Sequence, residues 1–121
     1  MDGKTKSGVR KKLSVSIRIV KLYKHLVKEQ KELVLLKQLL RSGTSIGANV
    51  NEAQAAQTKP KFISKMSIAS KEAREAQYWI KLLIETDYLD IKELHVKTLL
   101  EEIAELAKLL TSIVKTSQTK S

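Results

Sequence analysis

Two histidines, His25 and His95, and no cysteine make up the soft and borderline metal ligands of this 121-residue chain. They fall in different helical segments and neither belongs to an HExxH pattern, so a tetrahedral zinc site lacks its ligand set. No Glu stands three residues before either histidine, which removes the Glu-x-x-His pairs of di-iron bundles. A Gly-rich phosphate loop, a G-x-S-x-G elbow and a Ser–His–acid arrangement are missing too. The expectation is a protein with no enzymatic activity, metal or cofactor.

Charge offers more. The formal net charge is +10, and residues 1–30 hold nine Lys/Arg against two acids, or +7. Residues 31–58 contribute +1, residues 59–88 +2 and residues 89–121 nothing. Lys11, Arg18, Lys21, His25 and Lys28 recur at helical spacing on one face of the first segment, with Ser14 among them. Such a face attracts phosphate backbones or anionic lipid. Two other polar groups stand out. Arg41, Ser45, Asn49 and Glu52 form a row beside an apolar stripe, and Lys71, Glu72, Arg74 and Glu75 cluster further on. Partly buried polar groups need partners, so both are read as a structural network that fixes helix register. A ligand or RNA contact surface is the alternative. Tyr78 and Trp79 are adjacent, so one of them should be partly exposed in a single bundle; they are candidates for an oligomer interface, with a wide core as the alternative.

The elements that must hold these residues are helices. Leu, Lys, Ala, Glu and Ile dominate, and there is one Pro and four Gly, too few turn residues for an all-β fold. Periodicity predicts helices over about 9–28, 31–58, 60–86 and 91–115. The first repeats Val15, Ile19, Leu22 and Leu26; the second repeats Leu36, Leu39, Gly43, Ile46, Val50 and Ala53. Gly43 and Gly47 each cost about 1 kcal/mol of helix propensity against Ala, so a close helix approach is expected there, with the alanines of the third helix as the expected neighbour; a break into two short helices around Gly43-Thr44-Ser45 is the alternative. That helix repeats Phe62, Met66, Ala69, Ala73, Ala76, Ile80 and Leu83, with Thr58 as N-cap and Pro60 in its first turn. Asp90 is the expected N-cap of the fourth, which repeats Val96, Leu99, Ile103, Leu106, Leu110 and Ile113. Beside that stripe run Leu100, Ala104, Ala107 and Val114, more apolar surface than one neighbour covers. Residues 1–8 read as a basic flexible leader, 9–115 as one domain and 116–121 as a frayed tail. Short connections make successive helices antiparallel, so the fold class is all-α, an up-down-up-down four-helix bundle. No run is long and apolar enough to span a membrane, and the leader lacks a signal-peptide core, so a cytoplasmic location is expected.

The stretch from Gln38 to Leu89 resembles the bacterial four-helix-bundle proteins called 23S rRNA-intervening-sequence proteins. The resemblance is carried by Arg41, Ser42, Ser45, Ile46, Asn49 and Glu52 on the second helix. On the third it is carried by Phe62, Ile68, Ala69, Lys71, Glu72, Ala73, Glu75, Tyr78, Trp79 and Ile80. One departure is Gln54, where many relatives have a small residue. The resemblance implies a four-helix bundle, ring-shaped homopentamers and, in a distant retroelement-accessory branch, binding to nucleic acid and to a partner protein. Charge and resemblance together make RNA the expected partner, bound through Lys11, Arg18, Lys21, His25 and Lys28. With five aromatics in all, recognition of the RNA backbone is expected rather than of bases. The alternative is a scaffold or adaptor for another protein.

Overall fold

The computed structural model describes residues 3–29 and 34–119, with side chains from Leu13 onward. Four helices follow one another: α1 (Gly3–Glu29), α2 (Val34–Gln54), α3 (Lys59–Glu85) and α4 (Leu94–Thr119). They form an all-α, up-down-up-down bundle, with no strand among the described residues. The apolar repeats do the packing. Val15, Ile19, Leu36, Leu39, Ile46, Met66, Ile80, Leu83, Val96, Ile103 and Leu110 are buried in one core. No helix among the described residues is long and apolar enough to cross a membrane.

Capping chemistry sets the ends. Thr58 has an extended backbone and its Oγ1 accepts from the Lys61 N–H at 3.3 Å, with Pro60 in the first turn of α3 as expected. That helix ends where Asp87 takes a left-handed φ of 67° and the Tyr88 N–H returns to the Leu83 carbonyl at 2.9 Å. Asp90 does not cap α4. Its Oδ1 accepts from the Lys92 N–H at 2.9 Å, closing a separate turn. The helix starts at Leu94, and the Glu93 carbonyl accepts from Lys97 N at 3.0 Å. At its other end α4 continues to Thr119, through most of the stretch expected to fray. Helix α1 likewise begins at Gly3, inside the expected leader. The second helix ends at Gln54, four residues before Thr58, because Ala55–Thr58 must turn the chain into the α3 cap; its expected start at Lys31 lies outside the described residues.

The two glycines do admit a close approach, but to α1 and not to the alanines of α3. A Cβ on Gly43 would meet Ile19 Cδ1 at 2.5 Å and Cγ2 at 2.8 Å. One on Gly47 would meet Ser16 Oγ at 2.9 Å and Leu13 Cδ2 at 3.0 Å. Ser16 Oγ then donates to the Gly43 carbonyl at 2.6 Å, a buried bond possible only because the backbones lie so near. Ala69, Ala73 and Ala76 are fully buried in the core, and α2 and α3 pack most extensively of all pairs. Among the helix pairs that touch, α1 and α4 have the sparsest contact.

Candidate nucleic-acid interface

The cations of α1 do not act as one face. Arg18 turns inward across the sparse α1–α4 seam. Its Nη1 donates to Glu102 Oε2 at 2.6 Å, and its Nη2 donates to the His95 carbonyl at 2.9 Å and Thr98 Oγ1 at 2.8 Å. A guanidinium with its charge matched and its donors engaged is a structural clamp. Lys21, His25 and Lys28 are exposed, as the expected row requires. His25 Nε2 lies 3.6 Å from Glu29 Oε2. The side chain of Lys11 lies outside the described residues. Lys24, which the sequence reading passed over, is exposed between Lys21 and Lys28. Its spacing of three and four residues from those neighbours was the available signal. None of Lys21, Lys24 and Lys28 makes an ion pair among the described residues. The exposed row is therefore Lys21, Lys24 and Lys28. Over seven residues it spans about 10 Å of helix.

Between α1 and α4 lies an open crevice of about 370 Å³, lined by Arg18, Lys21, Leu22, His25, His95 and Leu99. The bundle brings the two histidines to one hollow, a juxtaposition the sequence did not disclose. His95 Nε2 is 3.3 Å from Glu93 Oε2. No group of three His, Cys, Asp or Glu side chains is placed to hold a metal ion among the described residues.

The polar residues of α2 and α3 divide into three parts. Arg41 bridges the helices, with Nη2 3.2 Å from Glu75 Oε2 and Nη1 3.7 Å from Glu72 Oε2. Lys71 Nζ is 3.6 Å from Glu72 Oε1. Glu72 is 3% exposed, and its Oε2 has no hydrogen-bond partner, so the carboxylate is held by charge rather than by a close bond. Asn49 stays local: its Nδ2 donates to the Ser45 carbonyl at 2.9 Å and to Ser45 Oγ at 3.0 Å. Glu52 pairs with Lys65 at 2.7 Å on the surface. Arg74 takes no part in this network and has no ion-pair partner among the described residues.

Tyr78 and Trp79 separate as well. Tyr78 is 56% exposed, whereas Trp79 packs against the core with its Nε1 buried and unpartnered. The rings meet edge to face, centroids 5.0 Å apart at 70°. Other large apolar side chains are exposed too: Ile17 at 51%, Val34 at 69%, Leu94 at 74% and Leu109 at 47%. The extra apolar width of α4 is only partly covered, since Leu100, Ala104 and Val114 are half-buried.

Set against known proteins, residues 7–112 match a family model described as 23S rRNA-intervening sequence protein. The chain is similar to a solved protein of unknown function from the S23 ribosomal protein family of Bacteroides thetaiotaomicron. The two are 50% identical with a TM-score of 0.82, over 88% of this chain and 97% of that one. No match is found among curated proteins.

Proposed function

This chain belongs to the 23S rRNA-intervening sequence protein family, and we propose that it is a non-enzymatic RNA-binding bundle that works as a homo-oligomer in the cytoplasm. The observation that carries the RNA reading is the exposed and unpaired row Lys21, Lys24 and Lys28, on a chain whose net charge is +10. Lysine ammonium groups on flexible stems meet phosphates as point charges and do not demand one sequence. Counterion release supplies the affinity, so binding is steep in salt and tolerant of sequence. Nitrocellulose filter binding with a large-subunit rRNA fragment and an unrelated RNA tests this. The variant carrying Lys21→Gln, Lys24→Gln and Lys28→Gln should lose affinity for both and flatten the salt slope by about 2 to 3. Equal affinity in the variant and the parent chain contradicts the role of α1.

The oligomer rests on apolar surface. Ile17, Val34, Leu94 and Leu109 stand exposed in a single bundle, and contact with further copies covers such groups while closed symmetry prevents open-ended growth. The ring of five comes from the family resemblance alone. Light scattering decides between the assembly and a 13.7 kDa monomer. A specific feature supports the second reading, a protein-binding scaffold. An apolar groove of about 430 Å³ between α1 and α2 is lined by Leu13, Ile17, Val20 and Ala48, with Lys21 and Lys24 on its rim. A monomer without RNA affinity would favour that reading.

A further inference from the structure

We propose that the α3–α4 side of the bundle binds single-stranded RNA, with phosphates held by Arg74, Lys108 and Lys115 and one unpaired base stacked on Tyr78. The proposal rests on the RNA-binding reading above and gives that activity a second surface, remote in sequence from α1. A groove of about 550 Å³ runs between α3 and α4, lined by Arg74, Gln77, Lys108, Ser112, Lys115 and Thr116 among others, and no Asp or Glu lines it. Arg18, Arg41 and Lys65 are neutralised by Glu102, Glu75 and Glu52, whereas the cations of this groove, like Lys21, Lys24 and Lys28 of α1, are not. Arg74, Lys108 and Lys115 make no ion pair among the described residues. Their charge is uncompensated, and the hydroxyls and amide between them can donate to phosphate oxygens. Lys108 and Lys115 lie seven residues apart, about 10 Å along the helix axis, a span that suits a chain of phosphates better than one small anion.

Tyr78 gives this groove its preference for unpaired strands. Arg74 also lines a second hollow, with Arg41, Lys71, Glu75, Tyr78 and Trp79, and is thus common to both; Glu75, the carboxylate there, is paired with Arg41 at 3.2 Å. Trp79, anchored in the core, supports the Tyr78 ring edge to face and leaves it 56% exposed. A ring already fixed on one side loses little freedom when a base covers the other. A basic groove beside an exposed aromatic platform is the arrangement that binds single strands with little sequence preference. A duplex keeps its base faces covered and can use only the cations. The small number of aromatics favours backbone recognition, and the exposed Tyr78 adds one base platform to it.

Fluorescence anisotropy with a labelled oligouridylate of about 12 nucleotides tests the proposal, with Trp79 emission as a second readout. Circular dichroism confirms that each variant is folded. Arg74→Gln, Lys108→Gln and Lys115→Gln combined should weaken binding at least about tenfold and reduce the salt slope by about 2. Tyr78→Ala should weaken binding about tenfold and abolish the RNA-induced change in Trp79 emission, while Tyr78→Phe keeps both. A duplex of equal length should respond to the triple variant and not to Tyr78→Ala. If the parent chain binds RNA but the triple variant and Tyr78→Ala bind it equally well, the second surface is wrong and the α1 reading stands. If the parent chain binds no RNA, both fall. A loss of oligomer mass in Tyr78→Ala would make Tyr78 a contact between copies and overturn its role as a base platform.

Discussion

Helix α1 meets its two neighbours in opposite ways. Against α2 the seam is steric: Gly43 receives Ile19, and Ser16 donates to the Gly43 carbonyl. Against α4 contact is sparse, and Arg18 reaches across to Glu102, Thr98 and the His95 carbonyl. A steric seam tolerates almost no change of volume, because the core around Ile19 is closed. A polar seam that is 30% exposed at both charged partners can relax and admit water. The first fixes how the bundle is registered. The second removes one cation from the surface, and so decides which of the α1 charges are available to a ligand.

Substitutions should rank accordingly in urea or thermal denaturation. Gly43→Leu is expected to be the most damaging, at roughly 3 kcal/mol, with Gly47→Leu at about 1–3 kcal/mol because the half-open Leu13 can give way. A rise in stability for either, as helix propensity alone would produce, would show that the backbones do not touch. Arg41→Ala should cost roughly 1–2 kcal/mol, because it leaves the buried Glu72 carboxylate with Lys71 as its one remaining cation among the described residues. Adding Glu72→Leu should recover much of that loss, and no recovery would mean that Arg41 acts mainly through Glu75. Arg18→Gln should cost about 1–2 kcal/mol. Amide exchange should accelerate in α1 and at the start of α4 while α2 and α3 stay protected; a uniform acceleration would contradict a local clamp. Glu52→Gln, on a surface pair, should change stability by no more than about 0.5 kcal/mol. A larger effect would show that the Glu52–Lys65 pair between α2 and α3 contributes strongly to helix register.

Much of this was visible in the sequence. The four apolar repeats have a period of 3.6, and burial follows that period in every helix, so the core was legible without tertiary knowledge. The need for a close approach at Gly43 and Gly47 was legible too, from the helix propensity they give up. Their partner was not, since the small residues of α3 and the branched Ile19 of α1 are equally consistent with a gap. The polar row was legible as a row, but its partners were not. Spacing puts Arg41, Ser45, Asn49 and Glu52 on one side of α2, but partners depend on the register of the facing helix. Only Arg41 reaches the buried Glu72; Glu52 finds Lys65, and Asn49 turns back on Ser45. Arg18 looked like the surface lysines because its partner, Glu102, is 84 residues away.

The salt dependence of RNA binding by the unmodified chain tests the central claim most directly. Association constants measured across a range of salt concentrations should fall linearly on a log–log plot, with a slope of about −0.7 to −0.9 for each phosphate engaged. Three lysines on α1 alone predict a slope of at least about −2, similar for rRNA and for unrelated RNA. A flat plot, or no measurable binding at low salt, would contradict an electrostatic RNA-binding function.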